Sequence, residues 1–334
     1  MKRLPHFAFM VLFLLPVSGL AQKLIEYVPM NSPIVVAVNL VTNMVYAANY
    51  NDGTVSVMDG NTNAVVATIP VGPMPFSLAV NPVTNLIYVS NTGSPQGTGM
   101  SIMAIDGNLN SVVSMLPLPR SYPGFIAVNP LTNTVYFTLA DGSPFVVAMN
   151  AATNQIVAKV QVKGRGCCRG MALNSATSRL YLAIEDPFNE TSYIAVMNTV
   201  NNRLVSKITP PGLQFVGAVA VDSGLNRVYA SDGVSNLLFV IDGADGSVIA
   251  TLPYFSDSMA VNENTHVIAV ASDKLTFIDG LTDEVVGGQV PFAACSCRIN
   301  LGAGIDDHFY VGYDNFLNDN APGALGVYSG PPSQ

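Results

Sequence analysis

The sequence predicts an all-β fold, a single closed seven-bladed β-propeller of four-stranded blades, and two observations predict it. A unit of roughly forty residues recurs along nearly the whole chain with the same order of strand and turn signals in each copy. The composition agrees: 49% of residues are hydrophobic and only 11% charged, while 28 Gly and 22 Pro supply turns for many short strands. A chain of 334 residues would ordinarily suggest about two domains, but a propeller takes up such a length in one architecture.

The N-terminus reads separately from the repeat. Lys2 and Arg3 form a positive region, Phe7 to Leu15 an apolar stretch, and Gly19-Leu20-Ala21 a small-x-small cleavage site. Residues 1–21 are therefore expected to be a signal peptide and residues 22–334 the propeller. The apolar stretch is short for a bilayer and no Cys follows the cleavage site, so a secreted, periplasmic or cell-surface protein with no transmembrane segment after cleavage is expected. The uncharged stretch 60–99 is broken by Pro70, Pro73, Pro75 and Pro82, which excludes a second membrane helix. Losing Lys2 and Arg3 takes the formal charge from −8 to −10. Such a surface repels phosphate backbones, so no nucleic-acid partner is expected.

The recurring unit opens with a strand ending in Val-Asn, followed by a Pro-x-Thr-Asn turn and a strand built on Val-Tyr, with variations from copy to copy. The pairs are Ala37-Val38-Asn39 with Val45-Tyr46-Ala47, Ala79-Val80-Asn81 with Ile87-Tyr88-Val89, and Ala127-Val128-Asn129 with Val135-Tyr136-Phe137. Looser copies follow at Ala172-Leu173-Asn174 with Leu180-Tyr181-Leu182, Ala220-Val221-Asp222 with Val228-Tyr229-Ala230, and Ala260-Val261-Asn262 with Val267-Ile268-Ala269. Third strands end in Asp59-Gly60, Asp106-Gly107, Asp242-Gly243 and Asp279-Gly280, each marking a tight turn. Fourth strands such as Val65 to Ile69 and Val248 to Leu252 are β-branched and of strand length. Met58, Met103, Met149 and Met197 recur near the ends of third strands and are expected in one inter-blade layer.

A seventh unit starts near Ile299-Asn300-Leu301, continues through Phe309-Tyr310-Val311 and Leu325 to Tyr328, and lacks a fourth strand. Lys23 to Pro29 reads like a fourth strand, so the N-terminal segment is expected to complete the last blade and close the ring, leaving no open sheet edge. A monomer is expected. These repeats resemble the YVTN β-propeller family, whose motif has close relatives in Ile87-Tyr88-Val89-Ser90-Asn91 and Val45-Tyr46-Ala47-Ala48-Asn49. The resemblance covers essentially the mature chain and implies extracytoplasmic binding modules, with lactonases and redox-protein subunits as distant structural relatives. The complete absence of Trp excludes Trp-Asp repeats and the Trp motif of quinone propellers.

In a propeller, the loops after strand two and those joining consecutive blades gather on one face around the central channel. The most unusual segment there is Gly164-Arg165-Gly166-Cys167-Cys168-Arg169-Gly170, matched at the start of blade seven by Ala294-Cys295-Ser296-Cys297-Arg298. An exported chain favours two structural disulfides among Cys167, Cys168, Cys295 and Cys297, within or across the channel, with a thiolate metal site and unpaired thiols as the alternatives. The glycines around Cys167 do not have phosphate-loop spacing and precede a strand, which rejects a dinucleotide site. On the same face lie Asn51-Asp52, Asp141, Glu185-Asp186, Asp232, Asp273 and Asp314. Asp306-Asp307-His308 falls on the opposite face as a polar hairpin, and no Gly-x-Ser-x-Gly elbow occurs. Asn189-Glu190-Thr191 matches a glycosylation acceptor and is expected at the surface.

Three readings follow. The leading one is a non-enzymatic module that binds a protein or carbohydrate partner through Arg165, Arg169, Arg298, Glu185, Asp186 and Asp314, without a cofactor. Its specificity is expected to lie in the long loops 91–99, 185–192 and 314–323. The alternative is a metal-assisted, lactonase-like hydrolase that holds Ca²⁺ or Mg²⁺ through Glu185, Asp232 or Asp273. The third is a structural or redox-accessory subunit in which the cysteines govern partner binding.

Overall fold

The computed structural model describes residues 23–119, 121–140, 144–162, 167–186, 191–256, 258–272, 274–287, 289–291, 299–305, 307–313 and 323–331. Residues 1–21, the expected signal peptide, lie outside them, as do Asp141, Arg165, Asn189, Glu190, Asp273, Cys295, Cys297, Arg298, Asp306 and Asp314. The described residues form seven antiparallel four-stranded sheets. In the first six, the strands pair in chain order, as consecutive hairpins require; they span 33–70, 75–117, 123–161, 167–208, 216–252 and 258–291. The seventh is completed from the far end of the chain, because Leu24–Pro29 pairs antiparallel with Ala324–Ser329. The expected closure by the N-terminal strand is therefore present.

The ring is held by layers between blades rather than by one central core. Seven clusters of buried apolar side chains each bridge two neighbouring blades. Period-two alternation puts one face of each strand into one such layer and the other face into the next. The second and third strands are accordingly buried on both faces and the fourth strands largely exposed. Met58, Met149 and Met197 lie in these layers with at most 1% exposure. Met103 does not match them, since it stands three residues before Asp106 whereas Met58 directly precedes Asp59. Ile105 takes the fully buried place and Met103 packs at its margin.

Turn chemistry explains the repeated Asn. The residue before each second strand adopts a left-handed conformation: Asn43, Asn85, Asn133, Ser178, Asn226, His266 and Asp307 have φ between 48° and 58°. Where an Asn closes the first strand, as in blades one to four and six, it accepts hydrogen bonds from the turn, as Asn39 does from Val41 N at 2.9 Å, and donates to the next blade. Asn39 reaches Asn85 at 2.7 Å, Asn81 reaches Asn133 at 3.0 Å, and Asn174 reaches Asn226 at 3.0 Å. Between blades five and six the pair becomes Asp222 and His266, 2.8 Å apart. The Asp-Gly glycines are required by close approach. Gly60 N donates to Asn43 O at 2.8 Å, and a Cβ on Gly60 would lie 2.7 Å from that oxygen.

Candidate functional site on the channel-mouth face

Asp232 is the fully buried last residue of the strand Arg227–Asp232, not a loop residue. Its carboxylate accepts four backbone N–H groups: Gln214 at 2.8 Å, Phe215 at 3.1 Å, Val234 at 2.9 Å and Ser235 at 3.5 Å. Burial alone would raise its pKa, but hydrogen bonds from Gln214, Val234, Ser235 and Phe215 outweigh it and hold the carboxyl below its ordinary range. The effect is to fix the link that leads from blade four into blade five.

Phe215 sits on that link, and Arg169 lies over its ring with the guanidinium carbon 5.2 Å from the centroid. Arg169 Nε also donates to Glu185 Oε2 at 2.5 Å, in a pair whose side chains are 44% and 15% exposed. Both residues were expected in loops. They are instead strand residues, because Cys167–Asn174 and Arg179–Asp186 pair through Cys167 opposite Glu185, with a bulge between Cys168 and Gly170. Asp186 likewise pairs with Thr191 in an extended hairpin, so the expected 185–192 loop is reduced to its tip. Arg169 is the unpaired residue of that bulge, on the strand next to that of Glu185, and its side chain meets both Glu185 and Phe215 of the next blade.

Two glycines make room for the aromatic part of the site. A Cβ on Gly233 would lie 2.9 Å from Phe215 and 3.2 Å from Phe255, and one on Gly217 would lie 3.3 Å from Phe255. Phe255 belongs to the link between blades five and six, which is fixed by buried serines. Ser231 Oγ donates to Ser256 O at 2.6 Å, while Ser256 Oγ accepts Ala271 N at 3.0 Å. Among the described residues, two clefts open on this face. One, of about 520 Å³, lies between blades five and six and is lined by Asn236, Tyr254, Phe255, Ser272, Lys274 and Gln289, among others. The other, of about 410 Å³, lies between blades one and two beside Tyr50, Asp52 and Met74.

A solved structure with the same architecture is hydrazine synthase of Kuenenia stuttgartiensis, with a TM-score of 0.73 over 89% of this chain and 95% of that one. The two share the propeller fold. At 15% identity the likeness extends to nothing finer. No protein-family model matches the chain, and no curated protein matches it in sequence.

Of the residues expected at the site, the structure brings Arg169 and Glu185 together and places Asp232 beneath them as a support. The Asp186 and Cys167 side chains are outside the described residues, along with Arg165, Arg298, Asp273 and Asp314. Among the cysteines only the Cys168 sulfur is described; it lies 3.1 Å from Gly170 O, and no disulfide occurs among the described residues. Sequence reasoning missed Phe215, Tyr254, Phe255 and Lys274. They occupy single links with no counterpart in the repeat, and the one available signal was Gly217 and Gly233 flanking the Val-Tyr strand of blade five.

Proposed function

We propose that the protein is a non-enzymatic binding module that works outside the cytoplasm and presents its channel-mouth face to a protein or carbohydrate partner. One observation carries this reading: a half-exposed Arg169 guanidinium lies over Phe215 and is anchored by Glu185, while Asp232 fixes the backbone that carries Phe215. Arginine and aromatic side chains held in place before contact are the residue types that dominate binding energies, because little order is lost on association. The hydrolase alternative draws less support. Glu185 is engaged by Arg169, and Asp232 already spends its oxygens on four N–H groups.

The test compares Arg169→Glu on this face with Val83→Asp, a 74% exposed residue on a turn of the opposite face. The immobilised mature proteins are exposed to extracytoplasmic proteins and glycans of an exporting host. Loss of the retained partner with Arg169→Glu but not with Val83→Asp is the expected result. The reverse pattern, or stoichiometric Ca²⁺ or Mg²⁺ in the purified protein together with ester hydrolysis, overturns the reading.

A further inference from the structure

We propose that the cleft between blades five and six is a saccharide site specific for a carboxylated sugar, with Lys274 pairing the carboxylate and Tyr254 stacking on the ring. The proposal rests on the binding-module reading and names a ligand class for one part of that face. Lys274 opens the third strand of blade six, Lys274–Asp279, and is only partly exposed in the cleft. Its side chain makes no ion pair and no cation–π contact among the described residues. Lys159 and Lys207, by contrast, each rest on an aromatic ring, 4.2 Å from the centroids of Phe145 and Tyr193. A half-buried cation with no partner among the described residues is stabilised by an anionic ligand that supplies one.

The rest of the lining selects among anions. A phosphate-rich ligand calls for several cations or a nest of N–H groups, whereas the described lining of this cleft holds one ammonium beside the amides of Asn236 and Gln289 and the hydroxyl of Ser272. That set matches the ring hydroxyls and single carboxylate of a uronic-type sugar. Tyr254 packs one side on the apolar layer between blades five and six and is half-buried, which leaves it as a platform for the apolar face of a pyranose. The cleft volume of about 520 Å³ lies within the ~300–1,000 Å³ typical of small-ligand sites and accommodates more than one sugar ring. Preorganisation comes from the loop itself, because Ser256 and Ser231 fix the backbone on which Tyr254 and Phe255 stand.

The test is calorimetric titration of the mature protein with trigalacturonic acid and with a neutral galactose trisaccharide. The acidic sugar is expected to bind with preference. Lys274→Gln is expected to weaken it about tenfold while Lys274→Arg retains it, and Tyr254→Ala is expected to weaken both sugars. Unchanged thermal midpoints show that the variants fold. Equal affinity of the Lys274→Gln protein, equal affinity for the neutral sugar, or binding of an acidic peptide in place of the sugar overturns the proposal. A protein that takes up no saccharide yet loses its partner through Arg169→Glu overturns the cleft assignment and leaves the binding-face reading intact.

Discussion

Asn49, Asn91 and Asp232 occupy one repeat position, three residues beyond the buried Tyr46, Tyr88 and Tyr229, and all three are nearly inaccessible to water. Asn49 donates to Ser56 at 2.8 Å and Asn91 to the Val71 carbonyl at 2.8 Å, whereas Asp232 only accepts. Because hydrogen bonding depresses the Asp232 pKa below its ordinary 3.8, its contribution to stability is complete above about pH 4 and is lost as the pH falls through the folded-state value. Asp232→Ala, which strands several buried N–H groups, is expected to cost about 2–4 kcal/mol at pH 7. The gap between wild type and Asp232→Ala should then narrow below pH 4 in denaturant titrations. A gap that stays constant to pH 2 would refute the assigned role. Asp232 was conspicuous in the sequence as a loop carboxylate, but its function as a clamp was not, because the donors come from Gln214 and Phe215 on a link without repeat character. The Asn turns were legible for the opposite reason: the left-handed geometry that selects Asn recurs in blade after blade.

At the scale of the blade, the second strand carries a buried Tyr in every blade but the sixth, where Ile268 replaces it, and this Tyr packs in the layer shared with the next blade. Tyr136 Oη donates to Thr199 O at 3.0 Å and Tyr181 Oη to Gly243 O at 3.3 Å. A Cβ on Gly107 would lie 2.7 Å from Tyr46 Oη, so Val-Tyr and Asp-Gly are two halves of one contact. That coupling is why the repeat was readable as a fold: most blades meet their neighbour through the same contact. Burial pushes Tyr46, with help from the Asp106 charge, and Tyr88 up to about 12, so these phenols stay neutral in ordinary buffers. The blades differ in how well the hydroxyl is served. Tyr136 has its carbonyl, whereas Tyr88 Oη is buried with no hydrogen-bond partner among the described residues. Tyr136→Phe is therefore expected to destabilise by about 1 kcal/mol, and Tyr88→Phe to be neutral or stabilising. Equal losses in paired unfolding curves would mean that the hydroxyls contribute through something other than this bond.

For the whole molecule, closure depends on a strand at the extreme end of the described chain. The inner strands form a continuous ring, with Pro33–Asn39 packed against Ile299–Ala303, and among the described residues the outer edge of blade seven is covered by Leu24–Pro29 alone. That segment brings Val28 into the layer between blades seven and one, where with Met30 it meets Leu325 and Val327. At roughly 1.5–3 kcal/mol for each buried apolar side chain, its removal sacrifices several kcal/mol, a large part of the stability of an ordinary domain. It also bares the unpaired edge of Ala324–Ser329, a template for pairing with another copy. A chain starting at residue 31 is therefore expected to remain β-rich while melting well below a chain starting at residue 22 and forming dimers and larger species as its concentration rises. Adding a synthetic peptide of residues 23–30 should return it to a monomer in size-exclusion chromatography and raise its melting midpoint. A truncated chain that is already monomeric with an unchanged midpoint would mean that the inner ring closes the propeller alone, and that the N-terminal strand covers a finished molecule.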